Sequence, residues 1–283
     1  MTARQVLNLL DDSARANQAS PLRRESTLHL PGSGELIVAG DLHNHQRNFE
    51  RVRRYAALER HPRRFVILQE LIHGGALGNQ GQDTSFDMLL VALQWARDFP
   101  GRVHFLLANH DLAQVQQAPV MKDGYNLTQR FNQHLSLTYG AQSEQVAAAL
   151  KAYVFSQPLA AISATGVFLA HSLPGPKDIA TFDPTFLTRP LEGADFVRPG
   201  SAYSLVWGRH QTAEILEQLG KAWWADVFIC GHQQQDAGFA VVEPKLLIVD
   251  SSHNLGTLVH LDLAKAYDLG ALTATLVPLA NLP

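Results

Sequence analysis

The chain of 283 residues contains a single cysteine, Cys230, so no disulfide can form within it, which fits a reducing compartment. It also has little excess charge of either sign. Its 23 Lys and Arg against 26 Asp and Glu leave a formal net charge of −3, which gives no electrostatic footprint for docking on a nucleic-acid backbone. Short basic clusters such as Arg51–Arg54 and Arg63-Arg64 sit among apolar residues and read as a solvated face. Long apolar runs are missing as well. No stretch approaches the roughly 20 residues of a membrane span, and Val6–Leu10 is cut short by Asp11 and Asp12 before it could form the apolar part of a secretion signal. Repeats, low-complexity tracts and a domain linker are absent. The expectation is a soluble cytoplasmic protein without a membrane partner. Because 46% of its residues are hydrophobic, it can bury one large core. Residues 1–34 read as a lead-in helix and strand, and 35–283 as the main domain.

Histidine, by contrast, is plentiful, with 13 residues. Several stand at the ends of apolar runs, and imidazole is a favoured ligand of first-row metals. Val6 to Ala16 predicts an amphipathic helix. Ser26–Leu30 and Glu35–Ala39 predict two strands joined by the turn-rich Pro31-Gly32-Ser33-Gly34. From there a unit recurs, in which an apolar run ends in polar, ligand-type residues. Leu36–Ala39 leads to Asp41 and His43, Phe65–Leu68 to Gln69-Glu70, and Val103–Leu107 to Asn109-His110-Asp111. Val167–Ala170 leads to His171, Val227–Cys230 to Gly231-His232, and Leu246–Val249 to Asp250. Helices are predicted between these runs. One is capped by Thr84 and buries Phe86, Leu89, Leu90 and Leu93. A second opens at Ser143 with Val146, Leu150 and Val154 inward, and a third covers Gln211–Leu219 and stops at Gly220. This alternation implies sheets covered by helices, with residues just past the strand ends converging on one crevice.

Those tips carry chemistry. Asp41 and His43 alternate along an extended segment and share a side, giving a carboxylate and an imidazole for a divalent cation. Glu70 adds a carboxylate able to place one oxygen on each of two metals. Asn109 adds a neutral oxygen, and His171 and His232 add two imidazoles. Two metals about 3.5–4 Å apart can hold a hydroxide and neutralise a phosphoryl group under in-line attack. His110, directly after Asn109, sits where a general acid for the leaving alkoxide is needed. Each motif alone also suits an ordinary strand–turn–helix junction, with Asp or Asn capping. Their order and shared placement favour the metal reading. Trp223-Trp224 reads as core or helix-edge packing, Cys230 as a buried strand residue, and His45, His253 and Asp250 as cleft wall.

In order, Gly40-Asp41-Leu42-His43, Leu106–Asp111 with its Asn109-His110-Asp111, Leu169-Ala170-His171 and Gly231-His232-Gln233 resemble the blocks of the calcineurin-like metallophosphoesterases. The likeness is greatest to the phosphoprotein (serine/threonine) phosphatase branch, whose blocks are also matched by Ser156–Ile162, Gly231–Phe239 and Leu246–Asn254. It spans roughly residues 35 to 265. The resemblance implies an α/β fold, a central two-sheet β-sandwich flanked by helices, with a dinuclear site at strand C-terminal ends. It implies two divalent or trivalent ions (manganese, iron or zinc) and a phosphorylated substrate, either protein or small molecule. Asp41, His43 and Glu70 would bind the first metal, Glu70 would bridge, and Asn109, His171 and His232 would bind the second. His110 would protonate the leaving group. Gln234 stands where phosphodiesterase-like members place a second histidine, which the phosphatase branch also lacks.

The second block departs from the pattern G-D-x-x-D-R-G. Glu70 replaces an aspartate, and His73 stands where a carboxylate orients the catalytic histidine. Gly74 stands where an arginine grips phosphate bidentately. Arg209 is the candidate replacement for that arginine. Two other readings compete. Asp41-Leu42-His43-Asn44-His45 also resembles the D-L-H-x-H opening of barrel-type phosphoesterases and the H-x-H of amidohydrolases. The altered Glu70, His73 and Gly74 would also suit a degenerate phosphatase that only binds a partner.

Overall fold

A computed structural model describes residues 1–75 and 77–282. Helix α1 (Ala3–Ala19) is followed by strands β1 (Arg23–Arg24), β2 (Thr27–His29) and β3 (Glu35–Asp41). Next come α2 (Gln46–Ala56), β4 (Arg64–Gln69), α3 (Ser85–Asp98), β5 (Val103–Leu106) and α4 (Asn109–Val115). A small hairpin of β6 (Met121–Lys122) and β7 (Tyr125–Asn126) leads into α5 (Leu127–Tyr139) and α6 (Ser143–Ser156). The remainder runs β8 (Ala160–Ile162), β9 (Val167–Ala170), α7 (Ser201–Trp207), α8 (Ala213–Trp223), β10 (Val227–Cys230) and β11 (Phe239–Val242). It ends with β12 (Leu246–Val249), β13 (Thr257–Asp262), α9 (Leu269–Thr273) and β14 (Leu276–Pro278). The first helix illustrates why these segments form. Thr2 and Gln5 make a reciprocal capping box, and Val6, Leu9, Leu10 and Ala14 recur on one buried face.

Two sheets face each other, ordered β1-β2-β8-β9-β10-β12-β11 and β14-β13-β3-β4-β5. Each has a parallel centre, β9-β10-β12 in one and β3-β4-β5 in the other. Leu36, Val38, Ile67 and Leu106 meet Leu169, Ile229, Leu247 and Val249 between the sheets. The alternating positions, among them Ile37, Ala39, Val66, Phe168 and Phe228, pack beneath helices instead. Burial on both faces explains why the strands read as unbroken apolar runs. The result is the expected helix-flanked two-sheet sandwich, and a closed barrel is excluded.

Two local expectations are corrected, at Gly220 and Thr84. The two strands expected on either side of Pro31–Gly34 are both present, and they do not pair with each other. β2 pairs with β8 and β3 with β13 and β4, so the turn-rich link crosses from one sheet to the other. Gly220 does not end α8, which continues to Trp223 and is capped by Trp224 in the left-handed region. Trp223 is core, stacked on Phe168 at 4.5 Å between centroids, whereas Trp224 is 88% exposed. Thr84 occupies the N-cap of α3 without a side-chain bond, and Asp83 Oδ1 accepts the Ser85 N–H at 2.8 Å instead. Cys230 is buried in β10, and burial pushes its thiol up, away from the thiolate.

His104 on β5 is buried away from the strand tips, and its Nε2–H donates to Gly101 O at 3.0 Å. Burial lowers its pKa to about 4. The unfolded imidazole titrates near 6.5, so the unfolded chain takes up this proton first as pH falls. Stability is full above about pH 6.5 and is lost as pH drops through 4. Between pH 7 and 4.5 the loss amounts to about 2–3 kcal/mol. In urea unfolding at both pH values, His104→Phe should lose that much less than the parent. Equal acid losses in parent and variant would contradict this assignment.

Candidate metal centre

The C-terminal ends of the parallel strands meet at one seam. Asp41, last in β3, forms a parallel bridge with Asp250, just after β12, and the Ser251 N–H donates to Asp41 O at 3.1 Å. The approach leaves no room at Gly40, where a Cβ would lie 1.9 Å from Val249 O. Gly231 is constrained in the same way, since its Cβ would fall 2.2 Å from Asp41 Oδ1. That carboxylate oxygen instead accepts the His232 N–H at 2.8 Å, so two distant loops are pinned together.

Just beyond the strands the backbone turns sharply. His43, Glu70, His73 and His232 all adopt positive φ, between 42° and 67°. Side chains other than Gly avoid this region, and each such residue costs roughly 1–3 kcal/mol. The turns gather side chains into one crevice. Glu70 O accepts the N–H groups of Leu42 and His43 at 3.1 and 2.8 Å, and Glu70 Oε1 accepts the His110 N–H at 3.0 Å. Asn109 Oδ1 lies 2.7 Å from His171 Nε2 and 2.8 Å from His232 Nδ1. Asp41, His43, Glu70, Asn109, His171 and His232 are therefore brought together, with His110 beside them.

The donor set can be tested for a cation by following protons. Gln69 Nε2 donates to Ala39 O at 3.3 Å, so Gln69 Oε1 accepts from His171 Nδ1–H at 3.0 Å. His171 Nε2 is left facing Asn109 Oδ1 and, at 3.2 Å, Glu70 Oε2. Only an added proton on Nε2 or a cation can join these three groups. His43 repeats the pattern. Its Nδ1–H donates to Ile72 O at 3.1 Å, and its Nε2 faces Glu70 Oε2 at 3.7 Å. A backbone or amide oxygen that fixes the far nitrogen is the usual support of a metal-binding imidazole. The residues fit a divalent cation. Among the described residues, donor atoms of His43, Glu70 and His110 lie within 4.8 Å of one another, as do those of Glu70, His171 and His232. Glu70 belongs to both groups. His110 joins the first group, where the sequence pointed to Asp41.

The electrostatics agree with a site built for added positive charge. Burial, and then the Glu70 charge, raise Asp41 to about 7. Burial alone would raise Glu70, but the imidazoles of His171, His110 and His43 hold it well below the usual carboxylate range. Burial alone would lower His171, yet Glu70 and Asp41 raise it. His232 is pushed well down by burial, then by His171 and Arg209, and its Nε2 is buried without a partner.

The other expected residues lie around this centre. His73 is fully buried, its Nε2 is bonded to Gln114 Oε1 at 2.8 Å, and its ring lies 5.2 Å from that of His110. Arg209 is exposed, and its charge reaches His232. Gly74 packs on the first group, where a Cβ would lie 2.4 Å from His43 O, so this backbone excludes a side chain such as arginine. Asp250 accepts from the N–H groups of Gln235 and Ser252 at 2.9 and 2.8 Å. His45 caps α2 through Nδ1, and His253 Nε2 donates to Gln235 O. None of these three enters the described donor groups. Sequence reasoning assigned no role to Gln69 and Gln114, because amides carry no metal or acid–base signature of their own. Gln69 could have been suspected only from its place next to Glu70.

No family model matches this sequence, and no curated protein matches it. Solved structures do. A protein serine/threonine phosphatase from Saccharomyces cerevisiae superposes with a TM-score of 0.65 at 14% identity, covering 99% of this chain and 94% of its own. A cold-active protein-tyrosine phosphatase from a psychrophilic Shewanella superposes with a TM-score of 0.59 at 15% identity, covering 94% and 84%. The chain shares the fold of these phosphatases, the helix-flanked two-sheet sandwich that its ordered motifs led one to expect.

Proposed function

We propose that this chain is a metal-dependent phosphoesterase that hydrolyses a phosphomonoester. Asp41, His43, Glu70, Asn109, His171 and His232 would hold a pair of manganese, iron or zinc ions. The carrying observation is the convergence of His171 Nε2, Asn109 Oδ1 and Glu70 Oε2 on one point, which only an added proton or a cation can join. When bound, the ions supply charge to neutralise a phosphoryl group and acidity to activate water.

The protein's own groups divide the remaining work. Glu70 is held ionised by the surrounding imidazoles and fixes the His110 backbone through Oε1. His110, beside His43 with 4.9 Å between ring centroids, is placed to give its proton to the leaving oxygen. Burial lowers His110 to about 3, so the resting ring is neutral. A phosphate dianion alongside opposes that penalty, and the ring gains its proton as substrate enters. Arg209, exposed near His232, is the cation available to orient phosphate, since Gly74 cannot host one. The activities named for the two structural neighbours, both protein phosphatases, support a phosphomonoester on a protein side chain, and a small phosphate ester uses the same groups. No described helix is long and apolar enough to cross a membrane.

The altered Gly74 and His73 motivate a second reading, a phosphate-binding module without turnover. One experiment separates the two. Protein purified with manganese is assayed for bound metal and for turnover of a panel of phosphate mono- and diesters. Two ions per chain with monoester hydrolysis support the enzyme. Absence of metal, or loaded protein inert on the whole panel, rejects it.

A further inference from the structure

At the opposite end of β5 from Asn109 lies a cavity of about 380 Å³. Three consecutive β5 residues, Val103, His104 and Phe105, line it. Successive side chains of a strand point to opposite faces, so the cavity looks onto the edge of the strand. That edge is free, because β5 closes its sheet and pairs only with β4. Leu28, Leu93 and Tyr153, each no more than 2% exposed, complete an apolar floor, and the last turns of α1 form part of the rim. None of the proposed metal ligands borders this cavity.

Apolar cavities of roughly 150 Å³ exclude water and take benzene, and pockets for drug-sized ligands begin at about 300 Å³. The space here suits a molecule of roughly 10–15 non-hydrogen atoms. Its chemistry follows from His104, which is 7% exposed. The Nε2 of that ring lies 3.0 Å from Gly101 O, which can only accept, so the proton is on Nε2. Burial lowers the imidazole to about 4, so at pH 7 the ring is neutral and Nδ1 carries a lone pair. No group among the described residues donates to that nitrogen. It is not sealed in, as the Nδ1 atoms of His73 and His110 are, and is reached from the cavity. An acceptor buried in an apolar wall is satisfied only by a donor on the occupant. The rim adds no preference for an ion, since it carries one acid, Asp12, and one base, Arg97.

We propose that this cavity is a second binding site, for a neutral one- or two-ring molecule that donates a hydroxyl or N–H hydrogen bond to His104 Nδ1. The site is separate from the metal centre and does not depend on the phosphoesterase reading.

Three probes of equal shape test it. 2-Naphthol has the ring system and the hydroxyl, 2-methylnaphthalene carries a methyl in its place, and 2-naphthoate carries a charge. Titrated at pH 7 into the full chain with isotope-labelled histidine, 2-naphthol should saturate a single site and shift the His104 Nδ1 resonance. 2-Methylnaphthalene should bind about 10-fold more weakly, and 2-naphthoate more weakly still. His104→Phe keeps a ring without an acceptor, and in it the advantage of 2-naphthol over 2-methylnaphthalene should vanish. Ala16 is exposed at the rim, so Ala16→Trp spares the core while its indole should shut out all three probes. Inorganic phosphate should leave 2-naphthol in place. No saturable binding, equal affinity of the parent for the hydroxyl and methyl probes, undiminished binding in Ala16→Trp, or displacement by phosphate would each overturn the proposal.

Discussion

His110→Asn should lower kcat on phenyl phosphate by roughly 10²- to 10⁴-fold, the usual range for a lost general acid, with KM and bound metal almost unchanged. Asparagine retains the backbone N–H that Glu70 Oε1 accepts at 3.0 Å, and it fills most of the space. It has no proton to give. The size of the loss should also depend on the leaving group. p-Nitrophenolate departs without much help, so the variant should lose markedly less on p-nitrophenyl phosphate than on phenyl phosphate. Measuring kcat and KM on both esters reads this directly. The outcome also resolves a question of geometry, because His110 lies with His43 and Glu70 in one compact donor group. If the variant loses bound metal and suffers equally on both esters, His110 is a ligand and the acid lies elsewhere.

Removing metal should have the second large effect. Six donors from both sheets converge at the seam, where a cation would replace the protons that Asp41 and His171 otherwise hold. A ligand present at about a thousand times its Kd stabilises the native state by about 4 kcal/mol. In a chain of this size, treatment with a chelator should lower Tm by on the order of 10 °C. The sign of the pH dependence comes from two ligands. Asp41 is raised to about 7, and His171 is raised above its ordinary value by Glu70 and Asp41 in spite of burial. Both must give up a proton to bind metal. Glu70 and His232 oppose nothing, being already ionised and neutral respectively. Binding should therefore release protons near pH 7, and affinity should weaken as pH falls through that value. Thermal scans of loaded and chelated protein at pH 8 and pH 6 should show the gap in Tm narrowing at the lower pH. A gap independent of pH would contradict the assignment of Asp41 and His171.

Much of this was legible in the sequence because burial on both faces of a strand leaves a plain mark. Phe65–Leu68 and Val227–Cys230 are uniformly apolar since helices cover one side and the opposing sheet the other. The ligand-type residue just past each run, Glu70 or His232, then stands out as polar. The pairing of strands left no such mark. Pro31–Gly34 suits a hairpin and an inter-sheet crossing equally, and only the distant partner β8 decides between them. Gly220 looked like a helix end, but the glycine lies inside α8, where a Cβ would come within 2.9 Å of Ala225 O. Within the site, composition could nominate donors but not say where their atoms point. Asp41 spends an oxygen on the His232 N–H. The amides Gln69 and Gln114, which bond to His171 and His73, are chemically silent until their partners are known.

The left-handed backbone at His43, Glu70, His73 and His232 sets two demands against each other. Glycine would rest comfortably in each of those conformations, and it would bring neither carboxylate nor imidazole. Endurance and turnover thus pull these four positions in opposite directions. Descendants of this chain selected only for surviving heat would drift toward small residues there and fall silent. Any that stayed active would have found their tolerance in remote helices and sheet margins.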